Sequence, residues 1–132
     1  MAQNSKLAVA YRNAALDSTL AAAANGFIDV YDGVQSADAD TAVATQNLLV
    51  RFPLSATPFG ASSGGVATAA AIAAATITAS GAPAWYRLTD LAHGAILDGS
   101  AGTSGANLNF AASPFVAGAS ATITSYTETF PA

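Results

Sequence analysis

The sequence predicts a mainly β fold, an antiparallel β-sandwich or jelly-roll-like domain with one N-terminal α-helix. Three observations predict it. Apolar residues recur at helical spacing in one place, the first two dozen positions. After Gly26 the apolar runs alternate with period two, as half-buried strands do. Turn-forming pairs then return roughly every 8–15 residues, the rhythm of a sandwich or barrel. The 132 residues suit one domain around one core, taken as 1–132, with the helix over about 5–24 and the sandwich over about 27–130.

The helix is expected to be capped by Asn4 or Ser5 and to carry Leu7, Tyr11, Ala14 or Ala15, and Leu20 on one thin apolar stripe. Ala21 to Ala24 extend it, because alanine has the highest helix propensity, and Asn25-Gly26 supplies a left-handed stop. Phe27 to Tyr31 is the first strand, closed by the turn pair Asp32-Gly33. Residues 35–45 form a polar loop. In the strand from Asn47 to Leu54, Leu48, Val50 and Phe52 share one face and Leu49 and Arg51 the other; Pro53 keeps it from continuing as a central strand. Residues 58–65 are loop. Residues 66–79 mix alanine with β-branched residues and are assigned as strand, on the grounds of Thr76-Ile77-Thr78 and the Ser80-Gly81 stop.

Ala84 to Thr89 is a strand with Trp85 and Arg87 opposing Tyr86 and Leu88. Ala92-His93-Gly94 turns the chain into Ala95-Ile96-Leu97, which Asp98-Gly99 is expected to end. Gly102 to Gly105 read as a flexible connection, Leu108 and Phe110 as a short strand, and residues 119–129 as the last strand, with Ile123 facing opposite Thr122, Thr124 and Tyr126.

Composition narrows the function. Charged residues make up 9% of the chain, against about 25% in an average soluble domain. Lys6, Arg12, Arg51 and Arg87 are its only basic residues, and alanine alone is about a quarter of it. A surface without mixed charges must be neutral polar or covered by partners, and small side chains lose little entropy in broad flat contacts. A net charge of −4 and an isoelectric point near 4.4 argue against a nucleic-acid partner. The absence of cysteine excludes disulfides and thiolate zinc sites. No segment has the charge and length of a signal peptide, and the apolar stretch 66–79 is shorter than the roughly 20 residues of a membrane span. A soluble protein made and kept in the cytoplasm until assembly, without a membrane partner, is expected.

No catalytic constellation emerges, so the chain is expected not to be an enzyme and to need no cofactor or metal. His93, the single histidine, sits in a turn, where imidazole is ordinarily solvated. No serine lies in a Gly-x-Ser-x-Gly elbow. Asp29 and Asp32 do not share a strand face, and Asp38 and Asp40 lack the further oxygen ligands of a calcium loop. Gly99, Gly102 and Gly105 miss the dinucleotide-binding spacing. Trp85 and Tyr86, with Asp90 nearby, admit a sugar-stacking face, although a sandwich core commonly takes such aromatics.

Several segments stand out together: Arg12-Asn13-Ala14-Ala15-Leu16-Asp17, Ile28-Asp29-Val30-Tyr31-Asp32-Gly33, the loop 37–40, Leu48-Leu49, Leu54-Ser55-Ala56, Ser80-Gly81 and Ala84-Trp85-Tyr86-Arg87. Further on come Leu97-Asp98-Gly99, the stretch from Gly102 to Asn109, and Val116-Ala117-Gly118. In these segments the chain resembles a family of small virion proteins from tailed bacteriophages. The Ala-rich stretch 67–75 departs from the pattern. The resemblance implies a structural role in the virion, as a capsid decoration or cement protein whose partners are the major capsid protein and further copies of itself. A tail or head–tail connector component, or a carbohydrate-binding host-attachment module, are the alternatives. The helix and residues 126–132 are the expected contact regions, with Tyr11, Arg12, Tyr126 and Phe130 as candidate interface residues.

Overall fold

The computed structural model describes residues 5–130. It is mainly β with one helix, α1 (Val9–Ala21), followed by nine strands: β1 (Phe27–Tyr31), β2 (Leu48–Pro53), β3 (Val66–Thr68), β4 (Ala75–Thr76), β5 (Trp85–Thr89), β6 (Ala95–Gly102), β7 (Leu108–Phe110), β8 (Ser120–Ala121) and β9 (Ile123–Thr129). Seven form one sheet in the order β2-β1-β5-β6-β7-β9-β3, and β4 pairs with β8 in a small second sheet. Every pairing is antiparallel except β6 with β7. That parallel overlap spans just Ala101↔Leu108 and Gly102↔Asn109, so the chain sidesteps into the next sheet position without a full crossover.

The sheet is strongly curled. Phe52 on β2 and Phe110 on β7 are four strand positions apart, about 19 Å in a flat sheet, yet their ring centroids lie 6.0 Å apart. Tyr86 on β5 and Tyr126 on β9 meet edge to face at 5.1 Å. The concave face therefore closes on itself around Ile28, Val30, Val50, Phe52, Leu88, Leu108 and Phe110. Helix α1 and the β4–β8 sheet complete the enclosure with Leu16, Leu20, Ala23, Ala121 and Ile77.

The helix is shorter than 5–24 and starts at Ala8, which caps it without a side-chain hydrogen bond; Ser5 lies outside it, and Asn4 is outside the described residues. Its buried stripe is Leu16, Leu20 and Ala23 rather than one containing Leu7 and Tyr11, both of which are exposed. The left-handed stop is Asn25, at φ 58°. Gly26 serves a different need: a Cβ there would come within 2.1 Å of the Thr89 carbonyl oxygen, so only glycine lets β1 begin beside the end of β5.

Strand β2 keeps the expected face of Val50 and Phe52 and lies at the sheet edge, where Pro53 forfeits no ladder hydrogen bond. Residues 66–79 are not one strand. The segment leaves the large sheet after Thr68 and rejoins a sheet at Ala75, carrying the chain between the two. The alternation of Ala with Thr and Ile cannot encode which sheet a residue joins. The last strand is likewise divided at Thr122 into β8 and β9, and Tyr126 and Glu128 point inward.

Asp98-Gly99 does not end a strand. Strand β6 runs on to Gly102, with Asp98 facing Arg87 and Gly99 facing Tyr86. A Cβ on Gly99 would lie 2.3 Å from the Tyr86 hydroxyl and 2.5 Å from Cζ, so the glycine makes room for the ring. We expect Gly99→Ala to cost about 1–3 kcal/mol by overpacking, read as a lower urea midpoint at unchanged m-value. A neutral effect would show that the ring is free to move aside.

Candidate interaction surface

The convex face of the sheet carries a row of alternating charge across four neighbouring strands. Arg51 on β2 faces Asp29 on β1, Asp29 faces Arg87 on β5, and Arg87 faces Asp98 on β6. Arg51 donates to both Asp29 oxygens at 2.6 and 3.0 Å, and Arg87 to both Asp98 oxygens at 2.7 and 2.9 Å. Such bidentate pairs fix geometry as well as charge. The Arg87 side chain is 9% exposed against 43% for Arg51, so burial deepens toward the sheet centre. These hydrogen bonds hold both guanidinium groups above their ordinary pKa.

Residues 32–47 cover this face. Arg87 Nη2 donates to the carbonyls of Asp38 and Thr41, and Trp85 Nε1 donates to the carbonyl of Asp32. Trp85 stacks on Tyr31 with centroids 4.7 Å apart, and the Arg87 guanidinium lies over the Trp85 ring at 5.6 Å. Backbone and side-chain N–H groups of Asn47 donate to Asp32, whose carboxyl pKa is lowered chiefly by the backbone bond. Strand β5 is consequently buried on both faces. Trp85 and Tyr86 are each fully buried on opposite sides of it, so neither ring offers the stacking platform that a sugar-binding face requires.

The carboxylates are almost all engaged internally. Asp17 accepts from the Ser62 N–H, Asp38 from the Thr41 hydroxyl, Asp90 from the Gly94 N–H, and Glu128 from the Tyr86 hydroxyl. With Asp29, Asp32 and Asp98 this leaves Asp40 as the carboxylate without a side-chain hydrogen bond among the described residues. Asp38 and Asp40 are not joined by a third carboxylate or imidazole at metal-binding distance among those residues. His93 holds the turn at φ 66°, and its ring stacks on Phe27 at 4.5 Å.

The candidate contact residues separate. Tyr11 is 68% exposed on the outer side of α1. Arg12 is half-buried and folds over Gly65, and the neighbouring Asn13 and Asp17 tie α1 to residues 62–65 through Ser62 and Gly65. Tyr126 is 2% exposed, packed edge to face against both Tyr86 and Phe59, so as a partner anchor it is corrected to a core residue. Phe130 is half-buried against the core, and residues 131–132 lie outside the described region. Large apolar side chains also face solvent on separate loops, at Val34, Leu91 and Val116.

Two hollows open on the surface, one of them beside the helix. One of about 340 Å³ lies between the second half of α1 and residues 56–61, lined by Leu20, Ala21, Ala24, Pro58 and Phe59, with Asp17 on its wall. The second, about 320 Å³, is shared between Pro53, Leu54, Pro58 and Ile72. The sequence held no local signal for either, because the walls of the first join residues 17–24 to 56–61 and those of the second join residues 53–58 to 71–73. Comparison with protein families, curated proteins and solved structures finds no match to this chain.

The row of charges and the core cluster behind it have opposite sensitivities. Removing Arg87 leaves Asp98 buried without a partner, which costs about 3–5 kcal/mol. Removing the half-exposed Arg51 costs less, about 1 kcal/mol, since water can take the place of its guanidinium and Asp29 still faces Arg87. We expect denaturant titration of Arg87→Ala and Arg51→Ala to give that order; equal costs would refute the graded burial.

Glu128, the only glutamate, is 6% exposed beside the Tyr86 and Tyr126 hydroxyls, and the Tyr126 hydroxyl makes no hydrogen bond of its own. Burial raises the Glu128 carboxyl pKa, partly countered by the hydrogen bond from the Tyr86 hydroxyl. A folded pKa above the unfolded one means stability present at low pH and lost as pH rises through the folded value. Glu128→Gln should therefore melt above the parent at neutral pH, with the difference closing toward about pH 4. A difference that is constant with pH would show that Glu128 does not titrate in this range.

Proposed function

We propose that this chain is a structural subunit of a bacteriophage particle, a decoration or cement protein that binds the capsid shell and bridges its subunits. The observation that carries this reading is the disposition of charge. Ordinary monomeric domains keep apart through a mixed charged surface. Here seven of the eight carboxylates accept a hydrogen bond from within the chain and two of the four basic residues are ion-paired among the described residues, so few charges stand unengaged on a surface rich in alanine, serine, threonine and glycine. Such a surface suits wide, shallow contacts with neighbours, where small side chains lose little entropy on burial. The sequence resemblance supports the same role.

The proposed mechanism is mechanical. A protein that binds only the assembled shell adds its binding free energy to that state, about 2.7 kcal/mol per site at a hundredfold excess over Kd. Contacts with several subunits at once slow its release further through effective concentration. The major capsid protein and copies of this chain are the proposed partners, and the virion its location.

Purified particles provide the test. Quantitative mass spectrometry should find the chain at a copy number comparable to that of the major capsid protein, and shells stripped of it should rupture at lower temperature. A copy number matching a single ring would move the protein to the neck or tail. Its absence from particles would refute a virion role.

A further inference from the structure

The hollow beside α1 and residues 5–9 are complementary in charge and polarity. The hollow is apolar, with Leu20, Ala21, Ala24, Pro58 and Phe59 on its walls and Asp17 as its titratable group. It lies at the C-terminal half of α1, where the helix dipole is negative, and the last turn contains no basic residue. The site is therefore an apolar slot with uncompensated negative potential. The volume of about 340 Å³ suits two or three small or medium apolar side chains rather than a whole helix.

Residues 5–8, just before α1, have the matching chemistry. They are exposed, Ala8 is in an extended conformation, and the segment Ser5-Lys6-Leu7-Ala8-Val9 places one cation beside two apolar side chains that are both about 45% exposed. Lys6 is the only lysine in the chain and has no ion-pair partner among the described residues. The ladder engages Arg51 and Arg87, and Arg12 is folded over Gly65, which leaves Lys6 as the cation presented to the outside. Val9 lies seven residues before Leu16, on the same side of α1 as the buried stripe, yet projects past the body of the domain.

The helix itself keeps arm and slot apart. From Val9 to Ala21 it spans about 18 Å, with the arm at one end and the slot at the other. We propose that the slot receives residues 5–9 of a second copy of this chain, with Leu7 and Val9 on its apolar walls and Lys6 paired to Asp17. This deepens the assembly reading above and rests on it in taking a copy of the chain as the partner. Donor and acceptor surfaces differ, so the contact is head-to-tail and propagates to a ring or a row of subunits.

A zero-length carbodiimide, which joins an ammonium to a carboxylate in direct contact, tests this on an equimolar mixture of unlabelled and ¹⁵N-labelled full-length chains. The expected product is a Lys6–Asp17 peptide carrying one labelled and one unlabelled half. The Ala21→Trp variant, which fills the slot at an exposed position, should reduce that product by about tenfold, equivalent to roughly 1.4 kcal/mol. Lys6→Glu and Asp17→Lys chains should each lose self-association in sedimentation and recover it when mixed, the first supplying the arm and the second the slot. Linked peptides of a single isotope only, coupling of Lys6 to other carboxylates only, or failure of the mixture to recover would each overturn the proposal. Cross-linking on particles separates the two readings: virions that contain the chain without the Lys6–Asp17 link would refute the contact and leave the virion role standing.

Discussion

The fold depends on Arg87. It lies on the interior strand β5, carries the buried half of the charge ladder, and holds the carbonyls of Asp38 and Thr41 above it. One side chain thus sets the register of β5 against β6 and orders the loop that buries Trp85. Register is a discrete choice in a sheet, because a slip of one residue sends every side chain to the opposite face. A slip here would move Arg87 to the apolar side and Leu88 to the charged side. The penalty for such a slip is the desolvation of an unpaired ion, which exceeds what most apolar mismatches cost.

This use of charge explains how a domain so poor in charged residues still has a defined structure. In most proteins surface pairs contribute little, since water and salt screen them. Here the Arg87–Asp98 pair lies beneath a loop, and the carboxylates elsewhere accept backbone or hydroxyl hydrogens, fixing the turn at 90–94, the loop at 38–41 and the seat of α1 on residues 62–65. The same arrangement leaves few unengaged charges on the exterior. Internal order and a surface suited to contact are two consequences of one distribution of charge.

The strand edges are also managed. Strand β2 ends in Pro53, and the Leu49 carbonyl is taken by the N–H groups of Thr78 and Ala79. At the other edge, β3 is short and is flanked by bridges at Phe59↔Ala69 and Ser63↔Val66. Open ladder groups invite strand addition, and both edges are shortened or covered here.

The fold class was legible in the sequence because it depends on local periodicity: one helical stretch before Asn25-Gly26, then alternating runs such as Phe27 to Tyr31 and Trp85 to Thr89. The helix stop, the first two strands and the burial of one ring of the Trp85-Tyr86 pair need little more than side-chain spacing and size; the burial of the other, under residues 32–47, does not follow from spacing. Tertiary structure decided what spacing cannot encode. Asp98-Gly99 has the composition of a turn, but Arg87 and Tyr86 across the strand pair make it the middle of β6. Tyr126 looks like an interface aromatic until the curl of the sheet places it against Tyr86 and Phe59. The slot beside α1 has walls from two distant segments, and the ladder draws on four strands. In each case the deciding partner lies far away in the chain, and only the folded arrangement supplies it.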